Sequence, residues 1–154
     1  MASFNKINDF VENAVEGMNL GTDTLTIALS NTAPASESSN PTADSNGILA
    51  NVTQISYTNL SSRNLANVTS AQASGTYKLS ADDLTLTASG GSVGPFQYIY
   101  IYNDTVSSPA DPLVGYYDYG SALTLNDGDS FTIDIGTNGI LTVSYTHLTL
   151  PTTY

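Results

Sequence analysis

The chain has no cysteine and no tryptophan, a single histidine, and only three lysines and arginines among 154 residues. Without cysteine there is no disulfide framework and no thiolate-ligated zinc site. His147 is the one histidine, and without it and without cysteine no Ser-His-Asp, Cys-His or His-metal site can be assembled. Three cations against fourteen acids give a formal net charge of −11. That charge repels phosphate backbones and anionic headgroups, so nucleic acid and membrane surfaces are poor partners. Lys6, Arg63 and Lys78 are too few for a phosphate clamp, and no Walker-type loop or GxGxxG is present. No apolar run approaches the roughly 20 residues of a membrane span. Met1 to Phe10 lacks the basic-then-apolar order of a secretory signal, so none is expected.

What the chain has in quantity is Thr, Ser, Asn and Tyr, arranged in short alternating runs. The strongest run is Gly94 to Asp104, dominated by aromatic and β-branched residues that favour strands. Strict alternation puts Phe96, Tyr98, Tyr100 and Tyr102 on one face, and Gln97, Ile99 and Ile101 on the other. Two largely apolar faces imply a central strand, or one face turned to a partner. Thr22 to Ser30 alternates in the same way. Further strands are expected at Val52–Thr58, Leu65–Ser70, Thr76–Ser80, Asp83–Ala88, Leu113–Tyr119, Ala122–Leu125, Ser130–Ile135 and Ile140–Thr142. Gly115 interrupts one of these, and Asn126-Asp127-Gly128-Asp129 signals a hairpin. Phe4, Ile7, Val11, Ala14, Val15 and Met18 recur at helical spacing, which predicts one amphipathic helix over about 3–17, with Ser3 as N-cap. Residues 31–47 read as a long surface loop. The expected fold is mainly β: a single antiparallel β-sandwich or jelly-roll-like domain over residues 1–142, with one N-terminal helix.

The C-terminal stretch Val143 to Thr152 is a special case. The codons GTC TCT TAT ACA CAT CTG ACG CTG CCG ACG would encode it, and they resemble read-through of a transposase sequencing adapter. Residues 143–154 are therefore expected to be a non-native tail of a metagenomic sequence, the alternative being an ordinary strand.

No catalytic constellation emerges, so the expectation is a protein that is not an enzyme and needs no cofactor or metal. A carboxylate pair drawn from Asp82, Asp83, Asp104, Asp118 and Asp134 is the remaining enzymatic option, but acids of this kind favour turns for their local backbone bonds. Asp127-Gly128-Asp129 lacks the pattern of a calcium loop. The acceptor patterns at Asn51, Asn59, Asn67 and Asn103 are common by chance in so Asn- and Thr-rich a chain. Interface candidates are the stripe residues Phe4, Ile7 and Val11, and the tyrosines Tyr98, Tyr100, Tyr102, Tyr116, Tyr117 and Tyr119. The stripe packs on its own sheet or in a neighbouring subunit's groove. The tyrosines are core or cross-strand pairs, a protein interface, or a glycan-stacking platform.

Several runs together resemble a family of small structural proteins of tailed bacteriophages and prophages. They are Met1 to Lys6, Leu20 to Pro34, Gly94-Pro95-Phe96 with Tyr102 to Thr105, and Gly115 to Gly120 leading into Leu125 to Gly128. The resemblance spans most of residues 1–142 and implies a virion component, with no functional residues to carry over. The role expected from it is capsid decoration or stabilisation, by homo-oligomerisation and docking on phage coat or tail subunits. The alternative is a tail-associated module that binds host-surface glycan. Re-sequencing the locus from native DNA should fail to return the codons for 143–154; recovering them would remove the adapter explanation.

Overall fold

The computed structural model describes residues 4–144. The protein is mainly β, sandwich-like and antiparallel, with one α-helix among these residues. Strands run β1 Phe4–Lys6, β2 Leu25–Ser30, β3 Thr69–Ala73, β4 Thr76–Ser80, β5 Leu84–Thr87, β6 Val93–Asn103, β7 Leu113–Leu125, β8 Ser130–Ile133 and β9 Leu141–Ser144, and α1 spans Phe10–Glu16. The main sheet has the order β1-β7-β6-β2; a second is β3-β4-β9, and β5 pairs with β8.

The Tyr-rich run forms β6, and it is central as expected. β2 pairs along one side, with Ile27 opposite Ile101 and Ala28 opposite Tyr100. β7 pairs along the other, with Tyr116 opposite Tyr100. All six residues of β2 are buried, so both faces of the sheet are covered there. The alternation of β6 is not continuous. Register shifts flank Phe96, and its ring packs edge-on against Phe131 of β8, centroids 5.6 Å apart. Phe131 shares its surroundings with Ile99, so the irregularity brings Phe96 to the isoleucine side and away from the tyrosines. Gly94 sits at φ +123°, and an added Cβ there would come within 2.8 Å of the Leu123 carbonyl. Only glycine permits both the dihedral and the close approach. At the other end Asn103 is fully buried. Its amide nitrogen donates to Asp23 (2.7 Å), and its oxygen accepts from the backbone of Thr105 and Val106. That closes the strand and occupies the Asn103 acceptor pattern.

The helix expected over 3–17 is corrected to a strand, a turn and a seven-residue helix. Phe4–Lys6 pairs with Tyr117, Tyr116 and Gly115. The Phe4 ring lies over Gly115, where a Cβ would meet it at 2.3 Å, and stacks at 5.1 Å on Tyr117. This docking outweighs helical spacing at Phe4. The helix begins only after Asp9, whose carboxylate does not cap it. It accepts instead from the amides of Ser45 and Gly47, at 2.9 and 2.8 Å. The expected cap Ser3 lies outside the described residues.

The expected strands at 52–58 and 65–70 are also corrected. Between β2 and β3 the chain stays irregular, with 3-10 turns at Pro34–Ser36 and Leu49–Asn51. Residues 54–65 still run along the outer edge of β2. Ile55 donates to the Leu29 carbonyl, Ile27 to that of Arg63, and Leu65 to that of Leu25. The ladder breaks because the Tyr57 hydroxyl, not a backbone carbonyl, accepts from the Leu29 amide at 3.0 Å. Asn67, at φ +50°, then turns the chain away before β3. The 31–47 stretch is anchored as well: Pro34, Pro41 and Gly47 are buried.

The two strands expected at 113–119 and 122–125 are one, and Gly115 continues it. The Asn126–Asp129 turn forms, but not as a hairpin between its flanking strands. β7 pairs with β6 and β1, whereas β8 pairs with β5. The turn is a corner that carries the chain from one sheet to another. Val143 and Ser144, the first residues of the adapter-like stretch, stand opposite Tyr77 and Thr76 in β9. The rest of that stretch, with His147, lies outside the described residues.

Because the Phe4 ring occupies the space of a Gly115 side chain, Gly115→Val should cost about 1–3 kcal/mol and unpair β1. Urea unfolding measures this, and Phe4→Ala in the same chain should recover part of the loss. An unchanged midpoint would contradict the packing.

Candidate functional site

β6 and β7 bring three of the six named tyrosines together. Tyr100 and Tyr116 rings are 5.3 Å apart, and Tyr98 and Tyr116 6.4 Å. They do not form one exposed platform. Tyr100 is completely buried and Tyr102 nearly so; Tyr98, Tyr116 and Tyr117 are half-buried, and only Tyr119 is exposed. Ile7 is completely buried and Phe4 half-buried, whereas Val11 is exposed. Ile7, Tyr100 and Tyr102 are therefore corrected from interface candidates to core residues, because the chain itself already covers them.

The cover over Tyr100 is chemically unusual. Its hydroxyl is buried without a hydrogen-bond partner. Burial pushes its phenol well above the usual value, and the Glu37 carboxylate and the neighbouring tyrosines push the same way. Glu37 itself is held by Thr53, accepting from its amide at 2.8 Å and its hydroxyl at 2.7 Å. Tyr57 is clamped differently. Its hydroxyl donates to Gln54 at 2.7 Å while accepting from Leu29, and the Arg63 guanidinium sits 3.7 Å from its ring centre. Arg63 also donates to the Ile27 carbonyl. One of the chain's three strong cations is thus spent on holding the 54–65 segment to β2.

Three of the five aspartates weighed as a catalytic pair hold local structure. Asp82 accepts from the Asn67 amide group, Asp83 from the Ile135 backbone, and Asp118 from Gln97 and the Gly120 backbone. At the corner Asp127 accepts from Gly90, and Asp129 from the backbone and side chain of Asn126. No grouping of three or more acids or histidines able to hold a metal ion occurs among the described residues.

Two surface features remain. The first is an apolar groove between α1 and the β4–β9 edge, lined by Phe10, Ala14, Met18, Tyr77 and Leu141. Val11, Val15 and Val143 stand exposed on its rim, Val15 to 82%. Val15 belongs to the stripe visible in the sequence, but its exposure follows from the helix being short and lying on Phe10. The second is a cleft of about 200 Å³ between β7 and β8, lined by Tyr117, Tyr119, Phe131 and Asp134 over Ile99 and Ile133. Phe131 was not legible as a site residue, since the hairpin residues at 126–129 imply that β8 pairs with β7, whereas it pairs with β5.

Compared with family models, with curated proteins and with solved structures, the chain gives no match.

A tyrosine whose phenol is raised on folding contributes stability that is complete below its unfolded value of 10 and is lost as pH rises above it, because the unfolded chain ionises first. Tyr100 alone should make unfolding free energy fall by about 1.4 kcal/mol per pH unit above pH 10. Tyr100→Phe should flatten that slope and, by removing an unpartnered hydroxyl, leave stability at pH 7 unchanged or higher by about 1 kcal/mol. Urea titrations at pH 8 to 11 measure both; a Phe variant less stable by about 2 kcal/mol at pH 7 would show that the hydroxyl has a partner.

Proposed function

We propose that this protein is a non-enzymatic structural component of a tailed-phage virion, a capsid decoration or stabilising protein that self-associates and docks on coat subunits. The sequence resemblance supports the phage context. The observation that carries the structural role is the exposed pair Val11 and Val15, one turn apart on the outer face of α1. Exposed valines grouped on a groove rim are out of place on a chain that solvates itself with hydroxyls and amides.

A second copy of the chain is the occupant that fits. Two-fold pairing sets Val11 and Val15 against Val15 and Val11 of the other copy. Lys6 is the one charged side chain lining the groove beside Val11 and Val15, so the apolar contact between two copies brings no carboxylates of the groove lining together. Glycan binding by a tyrosine platform has less behind it, because Tyr100 and Tyr102 are interior.

Light scattering behind size exclusion on the full chain should give an oligomer, and Val15→Asp should shift the dissociation constant by at least about tenfold without unfolding the domain. A wild-type monomer at about 100 μM would contradict self-association. Immunogold labelling of particles made from a genome that encodes the chain should decorate the head exterior. Unlabelled particles would contradict the virion role, and label confined to the tail would contradict capsid decoration.

A further inference from the structure

The cleft between β7 and β8 is built differently from the valine groove. Tyr117 and Tyr119 project from the same side of β7, two residues apart. Phe131 closes the opposite wall from β8. None of these rings stands alone. Tyr117 stacks on Phe4 at 5.1 Å; Tyr119 meets Phe131 edge-on at 5.5 Å, and Phe131 meets the buried Phe96 at 5.6 Å. Ile99 and Ile133 make an apolar floor. The only charged side chain in the lining is Asp134, which directly follows β8 and is exposed. No hydrogen bond to its carboxylate occurs among the described residues. The Tyr117 phenol is raised first by burial and second by Asp134, so this carboxylate's field reaches into the cleft.

Aromatic rings around an apolar floor with one unengaged carboxylate are the chemistry of an organic-cation site. The volume of about 200 Å³ admits one head group on a short stem. A neutral sugar fits less well. It needs several polar partners, and the nearby Thr132 hydroxyl is already bonded to Thr85 at 2.9 Å. The net charge of −11 favours approach of a cationic partner.

We propose that the Tyr117–Tyr119–Phe131–Asp134 cleft receives a guanidinium or ammonium side chain presented by a protein partner. The site stands on the cleft alone and does not depend on self-association through α1.

The test is an NMR titration of the ¹⁵N-labelled full chain with Ac-Gly-Arg-Gly-NH2, with the same peptide carrying citrulline in place of arginine, and with methyl glucoside. The arginine peptide should produce saturable shifts confined to residues 117–120 and 131–134. Asp134→Asn, conservative and exposed, should weaken it by about tenfold, Tyr119→Ala should weaken it as well, and added salt should reduce the affinity. Equal binding of the citrulline peptide would overturn the charge assignment. Saturation by methyl glucoside without response to arginine would make the cleft a sugar site instead. Absence of shifts at the arginine peptide's solubility limit would overturn the proposal outright.

Discussion

Everything in this fold depends on β6 being buried on both faces while paired along both edges. A strand so placed must be covered twice. On the isoleucine side the cover is the β5–β8 pair, whose Phe131 reaches Phe96. On the side of Tyr100 and Tyr102 the neighbours include Glu37 and Arg63, which lie outside any strand. Long irregular chain contributes to the cover there, with Glu37 close enough to act on the Tyr100 phenol and the 54–65 segment held to β2 by Tyr57 and Arg63. The irregular segment is thus part of the core, and its polar side chains are fixed by the backbone bonds it cannot make as a strand.

That arrangement decides where function can reside. A residue consumed in covering β6 is unavailable to a partner, which removes Tyr100 and Tyr102 and leaves Tyr119, at the far end of the tyrosine run in β7. Two places where apolar side chains of the described residues meet solvent in a group lie at the periphery of the core. One is the outer face of α1, where a seven-residue helix can bury little more than Phe10. The other is the cleft at which the β5–β8 pair stops covering β7. Aliphatic surface dominates the first. Aromatic rings and one carboxylate define the second. The two suit partners of different chemistry.

The β class, the Tyr-rich strand, the strand within Thr22–Ser30 and the turn at Asn103 were legible because each is a local pattern: alternation, or a side chain bonding to its own neighbours. The errors came where two patterns coincide or where pairing is non-local. Phe4, Ile7 and Phe10 satisfy helical spacing, yet Phe4 is claimed by the space above Gly115, more than a hundred residues away. Val52–Thr58 alternates as a strand should, but the Tyr57 hydroxyl takes the bond a ladder carbonyl would take. Asn126–Asp129 has hairpin residues and makes a turn, while the strands on either side belong to different sheets. Of the interface candidates, Tyr98, Tyr100 and Tyr116 do meet across β6 and β7, while Tyr117 and Tyr119 lie on the Ile99 side. Strand periodicity could not say which would be roofed over, since the roof includes irregular chain whose placement over the tyrosines is non-local. The cleft was hidden for the same reason: Tyr119, Phe131 and Asp134 are neighbours only once β8 has left β7 to pair with β5.

The most direct test of a core built around a doubly covered β6 is native-state hydrogen exchange resolved by peptide. Amides of 97–102 should be the slowest in the chain and exchange only through global unfolding, and those of Ile27, Ile55 and Leu65 should be protected well beyond an exposed loop. Exchange at 97–102 as fast as in the exposed β3 would contradict the account, because it would mean that the irregular segment does not hold its cover and that the tyrosine face is open after all.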